Sequence, residues 1–339
     1  MRKISSLATG LIPFLNNFII LDFFIYPMLY KSSGYGIVYY FPLASFISFT
    51  IGLLVSNFSF NPIRSIRKNE IMRLILAIYL VIMIILGLSF FSVALSSIFY
   101  INETPFKFIF MILVISLFML NIKITTLINT ATILALVGIP LIFYNTISHF
   151  YLVDFGSIYY LKPSLSISNI ALMVFICLDT FMYSLLMPYF KRENKKILTI
   201  SVISYFIFEG FAALILVLML GKSLEGYYGF GYFLYSVEPL SGLIDNFDFV
   251  YIFLISLSAI FKLSFSLNII KLLYFEKKKY AIPFVFIIVA LCSCMMAKYY
   301  YLVDNYLSYL LIALAFVLLG FLLKLRRMQN EYIKAYSLS

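Results

Sequence analysis

The chain has 339 residues, of which 64% are hydrophobic and 12% charged, and its net charge is +11. Soluble domains carry about 25% charged residues, so this surface cannot be solvated by water, and a soluble globule is excluded. With one histidine, His149, a His-based metal centre or a Ser/His/Asp triad is excluded as well.

The N-terminus has Arg2 and Lys3, followed by an apolar run to Tyr30 without a small-residue cleavage site. It reads as a first span, not as a cleaved signal. A spanning helix needs about 20 apolar residues, and ten stretches qualify: 8–30, 37–59, 73–100, 106–122, 125–148, 168–190, 197–220, 249–273, 281–298 and 303–325. The fourth and fifth are separated only around Lys123. Together they predict a single all-α polytopic membrane domain over residues 1–339.

The Lys and Arg residues orient it. With the N-terminus in the cytoplasm, the cytoplasmic segments hold 19 of them, including the runs "RSIRK", "KRENKK" and "EKKK". The external segments hold five: Lys31, Lys107, Lys162, Lys222 and Lys298. This bias follows the positive-inside rule at every alternation and places both termini in the cytoplasm. It also accounts for the positive charge as anchoring near anionic lipid, so no nucleic-acid partner is expected. The chain has no Trp, and paired Tyr residues such as Tyr39–Tyr40 and Tyr159–Tyr160 read as an interfacial belt. The longest external segment, 221–248, is rich in Gly and Tyr and carries four acids against one lysine. A loop of that length is often a lid or a partner contact.

Four ionisable residues fall inside spans: Asp22, Asp179, Glu209 and Lys262. Each costs about 2.5–3.5 kcal/mol at the centre of a membrane helix, so each must face protein or a water-filled cavity. Glu209 stands alone in "YFIFEGFAAL" and reads equally as a structural hydrogen-bonding group. The aspartates occur in similar phrases, "LDFFIY" and "LDTFMY", on spans one and six. They sit about 12 Å and 16 Å from the external ends, each with a tyrosine at i+4, Tyr26 and Tyr183. Two sets of five spans must lie in opposite orientation, so residues 8–148 and 168–325 are expected to form two inverted repeats. Spans one and six would then be discontinuous at the aspartates, because Asp is a poor interior helix former and a good N-cap. Asp22, Asp179 and Lys262 are expected to form one polar centre between spans one, six and eight, with Tyr26, Tyr183 and Glu209 as further binding candidates. No carboxylate or histidine cluster suits metal chemistry and no Gly-rich phosphate loop occurs, so no cofactor, metal or enzymatic activity is expected.

Several stretches resemble the spore germination permease family, the B-type subunit of bacterial spore germinant receptors, within the amino acid–polyamine–organocation transporter group. "ALMVFICLDTFMYSLLMPYFKRENKK" is similar to that family's sixth span, "DNFDFVYIFLISLSAIFKLSFS" to its eighth, and "IYPMLYKSSGYG" to the end of its first. Asp245, Asp248 and Lys262 fill the places of two acids and a lysine in the eighth span. The family's first span has a Gly-Ser unwinding sequence where this chain has Ile20-Leu21-Asp22. The resemblance implies ten helices in two inverted repeats, the inner membrane of a spore, and assembly with an A-type subunit and a C-type lipoprotein. It implies a response to a small nutrient such as an amino acid. The alternative is a stand-alone proton-coupled transporter of amino acids or amines, and a third reading is a structural subunit with a vestigial site.

Overall fold

The computed structural model describes residues 4–55, 62–100, 103–160, 165–189, 194–220, 247–275 and 282–337. They are helical almost throughout, with no strand among them. In chain order the α-helices are α1 (Ser6–Ile20), α2 (Tyr26–Ser33), α3 (Tyr40–Val55), α4 (Pro62–Lys68), α5 (Glu70–Ala94) and α6 (Pro105–Met119). There follow α7 (Ile124–Ser148), α8 (Ile167–Phe181), α9 (Asn194–Leu220), α10 (Phe247–Ile270), α11 (Ile282–Lys298) and α12 (Tyr300–Ser337).

Local chemistry marks several helix starts. Ser5, Asn69 and Ser166 accept hydrogen bonds from Ala8, Met72 and Asn169 backbone N–H groups, capping α1, α5 and α8. Pro105 occupies the first turn of α6, where its missing N–H costs nothing. Gly34 ends α2 with φ +52, a conformation that disfavours a side chain, and this turn separates the first predicted span from the second.

Seven helical stretches are long and apolar enough to cross a membrane: Tyr26–Val55, Glu70–Ser97, Ile124–Leu152, Ile167–Leu186, Lys196–Met219, Phe249–Tyr274 and Tyr306–Glu331. Three shorter apolar helices, Ser6–Ile20, Pro105–Met119 and Val285–Lys298, coincide with the first, fourth and ninth predicted spans. The protein is therefore a polytopic, membrane-embedded helical bundle. Its outer surface agrees: Phe110, Phe118, Val137 and Phe316 are about 70% exposed, which suits lipid and not water.

Helices approach closely where side chains are small. α3 and α9 share the most extensive contact of the bundle. A Cβ on Gly52 of α3 would lie 2.2 Å from Thr199 Cγ2, and one on Gly210 of α9 would lie 2.8 Å from Phe41 Cβ. Between membrane helices such glycines replace the hydrophobic drive with close van der Waals packing. Inside the helices Thr132, Thr146 and Ser201 hydroxyls donate to the carbonyls of Ile128, Ile142 and Ile197, four residues back, so these three protons are not stranded in an apolar setting.

The expected interruptions of spans one and six take a different form. Neither span unwinds. In span one a π-helical turn, Leu21–Ile25, joins α1 directly to α2, and Leu21 and Tyr26 keep right-handed helical backbones. In span six α8 passes into a 3-10 segment, Met182–Tyr189. Asp22 lies inside the π turn and Asp179 in the last turn of α8, and neither caps a new helix. The local change of pitch lets the backbone stay hydrogen-bonded, which an unwound segment at membrane depth could not do without water. The external loop expected at 221–248, with Asp245, lies almost wholly outside the described residues, as do most of "KRENKK" and "EKKK".

Candidate functional site

Two buried polar clusters occupy the interior. The first is built on Asp179. Its Oδ2 accepts from the Lys262 ammonium at 2.5 Å and from Asn16 Nδ2 at 2.7 Å. Its Oδ1 accepts from the Tyr79 hydroxyl. Lys262 also donates to Asn16 Oδ1 at 3.0 Å. Asp179, Lys262, Asn16 and Tyr79 are each less than 9% exposed. Four spans thus converge: α1 brings Asn16, α5 brings Tyr79, α8 brings Asp179 and α10 brings Lys262.

Secondary contacts fix the members in place. Asn16 Nδ2 also reaches Asn17 Oδ1 at 2.7 Å, and the Thr180 hydroxyl donates to the same oxygen at 2.8 Å. Ser258, one helical turn before Lys262, donates to the Leu15 carbonyl at 2.8 Å and ties α10 to α1. An ion pair this deep is favourable only when the remaining lone pairs and protons find partners, and here Asp179 has three. Two polar atoms are left over: Asn17 Nδ2 and the Tyr183 hydroxyl, both buried without a hydrogen-bond partner among the described residues. The Tyr183 ring stacks on Phe265 with centroids 4.0 Å apart, and the residue lies within electrostatic reach of Asp179.

The second cluster is built on Glu209 of α9, which sequence alone left isolated. The Tyr26 hydroxyl donates to Glu209 Oε2 at 2.9 Å and lies 3.1 Å from the Glu209 carbonyl oxygen. Tyr205, one turn earlier on α9, lies within electrostatic reach of the same carboxyl group. Asp22 is buried and lies within electrostatic reach of Tyr26. Among the described residues Glu209 forms no ion pair.

The structure therefore brings Asp179 and Lys262 together and leaves Asp22 out. No hydrogen bond or ion pair links Asp22 to either of them; Asn16 holds the place expected of it. The reason is helical geometry: Asn16 and Asp22 are six residues apart, roughly 240° around the helix and about 9 Å along it. Tyr26, paired in sequence with Asp22, belongs to the Glu209 cluster, and Tyr183 stays beside Asp179. The uncharged members Asn16, Asn17, Tyr79 and Thr180 were not anticipated. Two adjacent amides in an apolar span were a usable signal for Asn16 and Asn17; one tyrosine among 28 was none for Tyr79.

The first cluster is closed. Beside Lys262 lies a cavity of about 20 Å³, lined by Ile19, Met83, Gly87, Phe91 and Ser266 among others, which is room for about one water. A smaller cavity of about 10 Å³ meets Lys262 from the side of Leu86 and Leu311. Among the described residues no three His, Cys, Asp or Glu side chains come close enough to hold a metal ion. No protein-family model and no curated protein sequence matches the chain.

Proposed function

We propose that the chain is a permease-like subunit of the spore germination type, with ten spans, both termini cytoplasmic, that senses a small amino-acid-like nutrient at the Asp179–Lys262 centre. The observation that carries this reading is the convergence of four helices on a buried, hydrogen-bonded ion pair. Intramembrane charges in a bundle interior mark substrate or ion paths by default. A ligand that enters must replace the partners each charge loses, because an uncompensated buried charge is strongly unfavourable. A molecule carrying both an amine, for Asp179, and a carboxylate, for Lys262 and the spare Asn17 Nδ2, meets that requirement.

The inverted-repeat architecture is part of the proposal, and helix packing supports it. Let α1–α2 be span one, α3 span two, and α5 to α12 spans three to ten. Exchanging span n with n+5 turns the contact one·seven into two·six, five·eight into three·ten, three·nine into four·eight, and six·ten into one·five, and all eight contacts occur. The contacts two·seven, three·eight, four·nine and one·six map onto themselves and also occur. The exchange is incomplete: one·eight, three·four, one·three and nine·ten occur while their counterparts three·six, eight·nine, six·eight and four·five are not among the larger helix contacts, although the Tyr79–Asp179 bond joins three to six and the Lys262–Asp179 pair joins six to eight. Assembly with A-type and C-type subunits in a spore inner membrane belongs to the same proposal.

The test is binding by the purified chain in nanodiscs, read as the shift in unfolding temperature across an amino acid panel. The expected outcome is a shift with one or a few amino acids that Asp179→Asn abolishes and Asp22→Asn keeps. A normal shift in Asp179→Asn would overturn the assignment.

A stand-alone proton-coupled transporter is the second reading. Glu209 favours it, as a buried carboxyl held by the Tyr26 phenol with no ion pair among the described residues. Uptake by the chain alone in liposomes, driven by a pH gradient and lost in Glu209→Gln, would select it.

A further inference from the structure

The helix α4 occupies a specific place relative to the polar centre. It packs on α5, on the 3-10 segment Met182–Tyr189 that continues α8, and on the π turn Lys271–Phe275 that continues α10. Of these, α5 carries Tyr79, and the other two continue the helices that carry Asp179 and Lys262. Its apolar residues Pro62, Ile63 and Ile66 are buried against them, while Arg64, Arg67 and Lys68 are exposed. Arg73 of α5 adds a further contact to the π turn, its guanidinium lying 4.8 Å over the Tyr274 ring. Both tails beneath α4 have non-α pitch, so neither is held by the regular hydrogen-bond ladder that makes a helix end rigid.

The surface around α4 is that of a headgroup region. The first turns of α5 expose Ile71, Leu74 and Ile78, each more than half accessible, so lipid chains begin immediately beside the three cations. An open groove of about 550 Å³ runs between α4, the start of α5 and the end of α12. Lys68 and Asn69 supply its polar wall, and Ile71 and Met328 its apolar floor. The acid on its rim, Glu70, lies 3.8 Å from Arg73. Lys68 on the groove wall above an apolar floor, with Arg64 and Arg67 exposed on the same short helix, complements an anionic lipid, with its phosphate at the cations and a chain along Ile71.

We infer that α4 is a cap over the inner mouth of the polar centre, held in its closed seat by anionic phospholipid headgroups that bind Arg64, Arg67 and Lys68. Neutral headgroups, or loss of these cations, free α4 to lift from the tails of spans six and eight and admit water toward Lys262. The inference rests on the proposed role of the centre only for its consequence. A centre that binds no amino acid leaves the lipid dependence intact, so the two readings fail separately.

The test uses the full chain carrying Cys177→Ala, Cys292→Ala, Cys294→Ala and one reporter, Leu186→Cys, which replaces a fully buried residue in the tail under α4. Nanodiscs expose both faces, so maleimide labelling is independent of membrane orientation. Leu186→Cys should label about tenfold faster in phosphatidylcholine than in equal parts phosphatidylcholine and phosphatidylglycerol. Adding Arg64→Gln, Arg67→Gln and Lys68→Gln should remove the protection given by phosphatidylglycerol. A control reporter at the far end of α8, Leu172→Cys, should stay protected in every lipid. Equal labelling of Leu186→Cys in both lipids, or protection that survives the triple change, would overturn the inference. Should the reporters loosen the fold, shown by rapid labelling of Leu172→Cys, hydrogen exchange at 182–189 and 271–275 in the unsubstituted chain reads the same opening. Lipid-independent exchange there would overturn it equally.

Discussion

Asp179 and Lys262 are tied by partners that neither can lose alone. Lys262→Met leaves Asp179 buried with two neutral donors, and removing one partner of a buried pair costs about 3–5 kcal/mol. The expected outcome is a destabilised Lys262→Met protein, and recovery of most of the loss when Asp179→Leu is added, both measured by denaturant unfolding in detergent. Charge alone made these residues visible in the sequence, because a Lys or Asp in an apolar run is expensive wherever it points. Which carboxylate the lysine would choose was not visible. That depends on helix face, and six residues separate Asn16, which faces the lysine, from Asp22, which does not. The uncharged donors Asn16 and Tyr79 were hidden for a related reason: an amide or a phenol becomes part of a site only through the neighbour it meets.

Helices carry the next level of specificity. α3 and α9 meet across Gly52 and Gly210, and the 2.2 Å approach to Thr199 leaves no place for a methyl group at Gly52. Gly52→Ala should therefore force the helices apart or Thr199 off its rotamer, at about 1–3 kcal/mol. Gly87→Ala, where a Cβ meets nothing within 4 Å, should be close to neutral in the same thermal unfolding assay. That the chain carries apolar helices long enough to cross a membrane was legible, because membrane insertion responds to local composition and length, and seven such helices are present. The pitch changes at Leu21–Ile25 and Met182–Tyr189 were legible only as positions. An aspartate suggested a break, but a π turn and a 3-10 segment meet the same demand while keeping the backbone bonded. Tyr26, just past the π turn, then has a register that reaches Glu209 on α9.

At the scale of the whole molecule, membrane embedding follows directly from composition and from the apolar outer surface. Which helices meet is invisible in sequence, because a helix pair is set by size and face more than by identity.

The cavity beside Lys262 holds about one water, and that bears on time as well as on fit. If the chain binds a nutrient at Asp179, as proposed, the closed form cannot admit it at the rate of diffusion. Every productive encounter must wait for the bundle to open, so the observed association rate should rise with nutrient concentration and then level off at the opening rate. Stopped-flow binding in nanodiscs would show that plateau; a rate that climbs linearly without limit would mean the centre stands open in the membrane. On the proposed reading, a centre closed in this way would respond to the sustained presence of a nutrient and ignore brief contact.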